Sequence, residues 1–256
     1  MFRNAIVRPP DSRFAEGLTT AGLGAPVLER ALEQHARYCE ALERCGLSLT
    51  RLDPDPRYPD GTFVEDDAVL TPGCAILTRP GAESRQGEVA GIREVLARFY
   101  RTIRTIEAPG TVDGGDICEA EGHFFIGISE RTNEPGARQL AGFLEKEGYT
   151  SSFVDIRKTR GILHLKSGVA YLGDRRLVLI DTLAGREEFR EYEVVHVEAA
   201  EEYAANCVRV NDRVFLAAGF PALEKSLIRV GCKVVPLEMS EFRKMDGGLS
   251  CLSLRF

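Results

Sequence analysis

The chain has 256 residues, 44% of them hydrophobic and 28% charged, with 33 Lys and Arg against 39 Asp and Glu and a formal net charge of −6. This is the composition of a globular protein long enough to bury a sizeable core, and it excludes wholesale disorder. The acid excess leaves no basic surplus to neutralise phosphates, which argues against a general nucleic-acid binder.

No segment reaches the roughly 18 uninterrupted apolar residues of a membrane span. The opening MFRNAIVRPPDSRF has no apolar run of the signal-peptide kind. A soluble, cytoplasmic protein is expected. The seven cysteines fit that expectation. Their number is odd, their spacing is irregular and no CxxC occurs, so reduced thiols are favoured over a disulfide framework or a structural zinc site.

No linker divides residues 1–256, which read as one domain. In chain order, Asn4–Val7 has the pattern of a strand. Residues 26–45 have helical spacing, with Gly46 as a stop. A strand follows at 48–53. Segments 62–70 and 74–79 flank the turn Thr71-Pro72-Gly73 and read as a hairpin. A helix over 86–100 and a strand over 104–107 complete the unit. The order then recurs: hairpin 112–118 and 123–128, helix 135–147 with proline in its first turn, strand 152–156. It recurs again: hairpin 165–172 and 176–179, a short polar helix 186–190, strand 193–197. A fourth hairpin, 207–210 and 213–217, turns at Asn211-Asp212; helix 221–230 and strand 233–237 follow. The last run, 248–256, is a strand whose partner is expected to be the N-terminal one.

The strand–strand–helix–strand unit therefore occurs five times, its first strands starting near 62, 111, 165, 207 and 248. A period of about 40–55 residues is a repeat signal. Five units closed around an axis would bury apolar faces that none could bury alone, with the last unit shared between the two chain ends. A generic α/β sandwich of the same elements is the alternative.

The chemically distinctive residues fall at corresponding places in these units. Unit one has Glu65-Asp66, unit two Asp113-Gly114-Gly115-Asp116, unit three His164-Leu165-Lys166-Ser167 and unit five Ser250-Cys251. In a closed ring they would meet at the centre. A thiolate attacks an electrophilic carbon, and an imidazole delivers a proton to the leaving group. Two carboxylates can accept the forked N–H bonds of a guanidinium. Together they point to attack on a guanidinium carbon. Each residue also has a plain reading: a solvated edge for Glu65-Asp66, a turn for Asp113–Asp116, a core histidine, a buried thiol. Their common phase is what favours chemistry. HExxH, paired-cysteine metal spacing and a phosphate-binding glycine loop are all missing.

Phe63-Val64-Glu65-Asp66, Thr111-Val112-Asp113-Gly114-Gly115-Asp116, Gly127–Asn133, His164-Leu165-Lys166-Ser167 and Leu249-Ser250-Cys251 resemble dimethylarginine dimethylaminohydrolase. The resemblance runs from about Arg3 to Phe256. It implies the five-bladed α/β propeller of the guanidino-group-modifying (pentein) superfamily. It also implies hydrolysis of Nω-methylated L-arginine to L-citrulline and an alkylamine, through a covalent intermediate and with no cofactor and no metal. Cys251 would be the nucleophile and His164 the acid and base, with Asp113 and Asp66 holding the guanidinium. Arg85 and Arg131 match carboxylate-binding arginines. Asp60 and Glu65 match substrate-contacting side chains. Leu18 matches a lid residue and Met245 a backbone carbonyl that takes the amino group.

Two departures bear on the substrate. Position 113 is Asp where some relatives carry Glu, which shortens its reach. Lys166 stands where arginine deiminases place an Asp, which favours methylarginine over arginine. A deiminase acting on a related guanidino or ureido compound is the second reading, and a non-catalytic propeller that binds a macromolecule the third. A small-molecule substrate is the expected partner, and a monomer or a homodimer would suit the sequence equally.

Overall fold

A computed structural model describes residues 1–256. The chain begins with strand β1 (Asn4–Val7), helix α1 (Leu28–Arg44) and strand β2 (Ser48–Arg51). Unit one is β3 (Ala68–Leu70), β4 (Ala75–Leu77), α2 (Val89–Leu96) and β5 (Ile103–Thr105). Unit two is β6 (Ile117–Ala120), β7 (His123–Ile128), α3 (Glu134–Lys146) and β8 (Thr150–Asp155). Unit three is β9 (Val169–Gly173), β10 (Arg176–Ile180), α4 (Asp181–Ala184) and β11 (Glu193–Val197). Unit four is β12 (Val208–Val210), β13 (Arg213–Ala217), α5 (Pro221–Arg229) and β14 (Lys233–Leu237). The short α6 (Ser240–Arg243) and strand β15 (Leu254–Arg255) end the chain.

The strands form five separate three-stranded sheets. In each, the middle strand pairs antiparallel with one neighbour and parallel with the other. This is one β–β–α–β unit used five times: the hairpin gives the antiparallel pair, and the helix returns the chain to make the parallel one. The fifth sheet joins the ends, with β1 antiparallel to β15 (Ala5 opposite Arg255) and parallel to β2. The expected pairing of the last run with the N-terminal strand is what the structure shows. The arrangement is an α/β propeller of five blades.

Local signals account for the elements. Asn133 caps α3 by accepting the Gly136 N–H at 2.8 Å, with Pro135 in the first turn. Asn211 turns the β12–β13 hairpin with φ of 55°, a left-handed conformation Asn tolerates. Apolar side chains gather in four clusters of 24, 19, 12 and 11 buried residues rather than in one central core. The axis is thereby left for polar groups.

The structure differs from the sequence reading where each unit begins. The first strands start later, at residues 68, 117, 169, 208 and 254. Ahead of them stand 3-10 turns at Val64–Asp67, Gly114–Asp116, Leu165–Ser167, Ala199–Ala205 and Ser250–Leu252. A strand would send alternate side chains to opposite faces; a tight turn brings successive polar residues and backbone N–H groups to the axis. Unit three also replaces the expected polar helix by the single-turn α4 and a 3-10 turn at Glu187–Phe189, and α2 is shorter at both ends than the apolar spacing indicated. No helix is long and apolar enough to cross a membrane.

Candidate active site

The lead-in turns converge on a cavity of about 160 Å³. Its wall includes Cys251, His164, Asp113 and Asp66 from four turns, together with Arg85, Asp60, Arg131, Leu18 and Met245. Glu65 is the one residue of the predicted set that does not face it. Glu65 points to the far side of the axis, where its carboxylate accepts from Ser250 Oγ at 2.7 Å, Lys166 Nζ at 2.7 Å and Arg255 at 2.9 Å. Consecutive residues of a 3-10 turn point about 120° apart, so Glu65 and Asp66 cannot share one face.

His164 Nε2 lies 3.0 Å from Asp113 Oδ2, while Asp113 Oδ1 accepts the Gly81 N–H at 2.8 Å. Burial opposes a charge on His164, but Asp66, Asp113 and Asp116 outweigh it and hold the imidazole up to about 9. Burial likewise opposes ionisation of Asp113, and the His164 hydrogen bond and charge overcome it and lower its pKa. His164 and Asp113 thus form an imidazolium–carboxylate pair at neutral pH. The half-buried Cys251 is a neutral thiol there: burial, then Glu65 and Asp66, push it up to about 12.

Two fixed donors orient Asp66. Gly115 N–H reaches Oδ1 at 2.8 Å and Arg85 Nη1 reaches Oδ2 at 2.6 Å. Arg85 also binds Glu88 through Nε and Nη2, and donates to the Phe63 carbonyl at 3.2 Å. The glycines of unit two are required by close approach. A Cβ on Gly115 would lie 2.8 Å from His164 Nδ1, and one on Gly114 would overlap the Glu65 carbonyl. Asp116 ties the units together behind the cavity, accepting from Ser129 Oγ at 2.6 Å and from the Leu165 N–H at 2.9 Å. Ser129 Oγ accepts the N–H groups of Arg131 and Thr132, which sets the loop that carries Arg131.

The mouth is covered by residues 17–24. Asp60 accepts the Leu18 N–H at 3.0 Å, and Thr19 and Thr20 bind the Lys244 carbonyl and the Asp246 carboxylate. Gly22 and Gly24 have φ of 63° and 84°, which lets this loop turn back on itself. Leu18 remains partly exposed at the opening.

Asp66, Asp113 and His164 are the one trio of potential metal ligands whose atoms lie within 4.8 Å of one another. They are poorly suited to a metal ion, because a protonated imidazole has no lone pair to give.

Asp116, Glu88 and Asn206 help to build the site and carry no role in the sequence reading. Asp116 and Glu88 are visible only through their partners. Asn206 stands two positions before β12, in the stretch ahead of the first strand where the other units carry their functional residues. It accepts the Ser250 N–H at 2.9 Å, and its Nδ2 lies 3.9 Å from Cys251 Sγ.

A five-bladed propeller whose axis brings together a thiol, an imidazolium and two carboxylates defines a cysteine enzyme of the guanidino-group-modifying class. No family model matches the sequence. The chain is 46% identical, over 100% of both chains, to the N(G),N(G)-dimethylarginine dimethylaminohydrolase of Pseudomonas aeruginosa. It is 36% identical to the enzyme of that name from Streptomyces coelicolor, over 99% of this chain and 96% of the relative. A solved structure of the Pseudomonas enzyme, a cysteine-to-serine mutant complexed with citrulline, superposes over 100% of both chains with a TM-score of 0.97. The chain belongs to the dimethylarginine dimethylaminohydrolase family.

Proposed function

We propose that the cavity hydrolyses Nω-methylated L-arginine to L-citrulline and dimethylamine or methylamine through a covalent intermediate on Cys251. The observation that carries this reading is the convergence of Cys251, His164, Asp113 and Asp66 on one small cavity, in a chain that matches a citrulline-bound relative over its full length.

The substrate guanidinium lies between Asp66 and Asp113, whose lone pairs take its N–H groups. Its positive charge beside Sγ favours the thiolate, so Cys251 gives up its proton to solvent when substrate is present. The sulfur forms a bond to the guanidinium carbon. The carbon–nitrogen bond to the methylated nitrogen then breaks as His164 gives that nitrogen a proton, and the amine departs. Neutral His164 next takes a proton from water, whose oxygen bonds to the same carbon. The carbon–sulfur bond breaks with its electron pair on Cys251, the remaining O–H proton passes to the sulfur and restores the thiol, and citrulline leaves.

Arg85 commits most of its donors to Asp66, Glu88 and Phe63. Arg131 is therefore the main partner of the substrate carboxylate. The Met245 carbonyl and Asp60 take the amino end, and Leu18 closes the opening. A compartment that keeps the seven cysteines reduced suits the nucleophile, which supports a cytoplasmic setting for the enzyme.

The test is to supply asymmetric Nω,Nω-dimethyl-L-arginine and L-arginine separately and to measure citrulline, dimethylamine and ammonia. Citrulline with dimethylamine, and loss of both in Cys251→Ser, is the expected result. Turnover of arginine alone, with release of ammonia, would overturn it.

A further inference from the structure

We propose that Asn206 is a further catalytic residue of this reaction, whose side-chain N–H donates to the Cys251 sulfur when the thiolate attacks and again when it leaves. The inference rests on the assignment of Cys251 as nucleophile. Four of the five units bring a titratable group to the axis; unit four brings an amide.

The geometry fixes which end of that amide meets the sulfur. Oδ1 accepts the Ser250 N–H at 2.9 Å, a contact only an oxygen can make, so the Nδ2 donors are the ones turned to Sγ at 3.9 Å. Contacts to sulfur are long, and those of an empty site tighten once charge develops. Ser250 is held from its other side by Glu65, through the 2.7 Å bond to Oε2. The turn that carries Cys251 is thereby clamped between Asn206 and Glu65. Gly248 leaves the space: a Cβ there would overlap the Asn206 amide. Asn206 is only 9% exposed, so its donor acts where water competes poorly.

The chemistry needs such a donor. Burial, Glu65 and Asp66 oppose a thiolate, while a backbone hydrogen bond at Gly248 and the charge of Lys166 favour it. In the first half of the reaction the substrate supplies a positive charge. In the second half the carbon–sulfur bond breaks beside citrulline, which is neutral, and that help is gone. A neutral donor fixed on Sγ serves both halves without repelling the substrate cation.

The experiment is alkylation of Cys251 by iodoacetamide without substrate. Second-order rates are taken from pH 7 to 10, and the modified peptide is identified by mass. It is run on wild type, Asn206→Ala, Asn206→Asp and Asn206→Ser. Asn206→Asp retains an acceptor for Ser250 and loses the donor to sulfur. Alkylation is expected to slow about tenfold in all three variants at each pH, one unit of thiol pKa being a tenfold change in thiolate. With dimethylarginine, kcat is expected to fall about tenfold with KM within about twofold of wild type. If Asn206→Ala fails to fold, the neutral Asn206→Ser decides, because the carboxylate of Asn206→Asp itself opposes a thiolate while serine offers Ser250 an acceptor and is too short to donate to Sγ as well. A role confined to holding Ser250 predicts wild-type alkylation in Asn206→Ser. Alkylation unchanged or faster in the folded variants overturns the proposal. Because alkylation needs no substrate, that failure is distinct from a failure to turn over methylarginine.

Discussion

His164 carries its proton because of the acids around it, and this sets a pH dependence. Asp66, Asp113 and Asp116 hold its pKa at about 9 against the effect of burial. The imidazolium that must protonate the departing amine is therefore present at neutral pH and lost as pH rises through about 9. Asp113→Asn removes both a charge and the 3.0 Å acceptor, so the alkaline limb of kcat/KM is expected to move toward the ordinary histidine value of about 6.5. The same group links pH to stability. Its contribution is complete below about pH 6.5 and disappears as pH rises through about 9, because the folded state holds the proton more tightly than the unfolded one. The melting temperature of wild type should fall across that window more than that of Asp113→Asn. Parallel slopes would show that Asp113 does not hold the proton.

The lead-in turns decide how much a reader of the sequence could see. Cys251, His164, Asp113 and Asp66 were legible because each is reactive and each stands at the same phase of a repeat. Glu65 was misplaced because the motif match takes Glu65 and Asp66 as a pair, whereas strand and turn alike put adjacent residues on different faces. Lys166, read as a departure from the deiminases, has a local partner in Glu65. Asn206 was illegible as chemistry, since an amide has no acid–base signature, although its phase marked it. The glycines of Asp113–Asp116 looked like turn formers, whereas Gly115 is fixed by what lies opposite. Gly115→Ala would put a methyl group 2.8 Å from His164 Nδ1 and 3.0 Å from Asp66 Oδ1. A fold of unchanged circular dichroism with kcat reduced about 100-fold or more is expected. Wild-type turnover in that variant would mean that the His164 turn can move aside at no cost.

Ring closure rests on few contacts. β15 is two residues long, and its pairing with β1 is supported by Phe256, whose ring packs on Phe99 and Tyr100 of unit one at 5.0 and 5.5 Å. Asn211 of unit four clamps the other flank. It accepts the Phe2 N–H at 2.7 Å and donates to the carbonyls of Phe2 and Cys45 at 3.1 and 2.9 Å. Asn211→Ala leaves these partners unsatisfied and is expected to cost about 1–3 kcal/mol, read as a lower midpoint in urea with an unchanged slope. An unchanged midpoint would mean that the hairpin pairing alone holds the N-terminal strand. The repeat period allowed this closed architecture beside a generic sandwich and the family resemblance favoured it, but neither revealed Asn211 as a clamp, because an Asn-Asp pair reads first as a turn.

Closure also orders the steps by which the enzyme comes into being. Ala5 pairs with Arg255, about 250 positions further along the chain, and contacts between such distant residues form late. Cys251 lies three positions before β15, beside the strand that closes the ring. Until β15 pairs, the fifth sheet consists of β1 and β2 alone, with the acids and the imidazole waiting for the sulfur. Acquisition of the nucleophile and completion of the ring are one event, so labelling by a thiol reagent shaped like the substrate would report the end of folding.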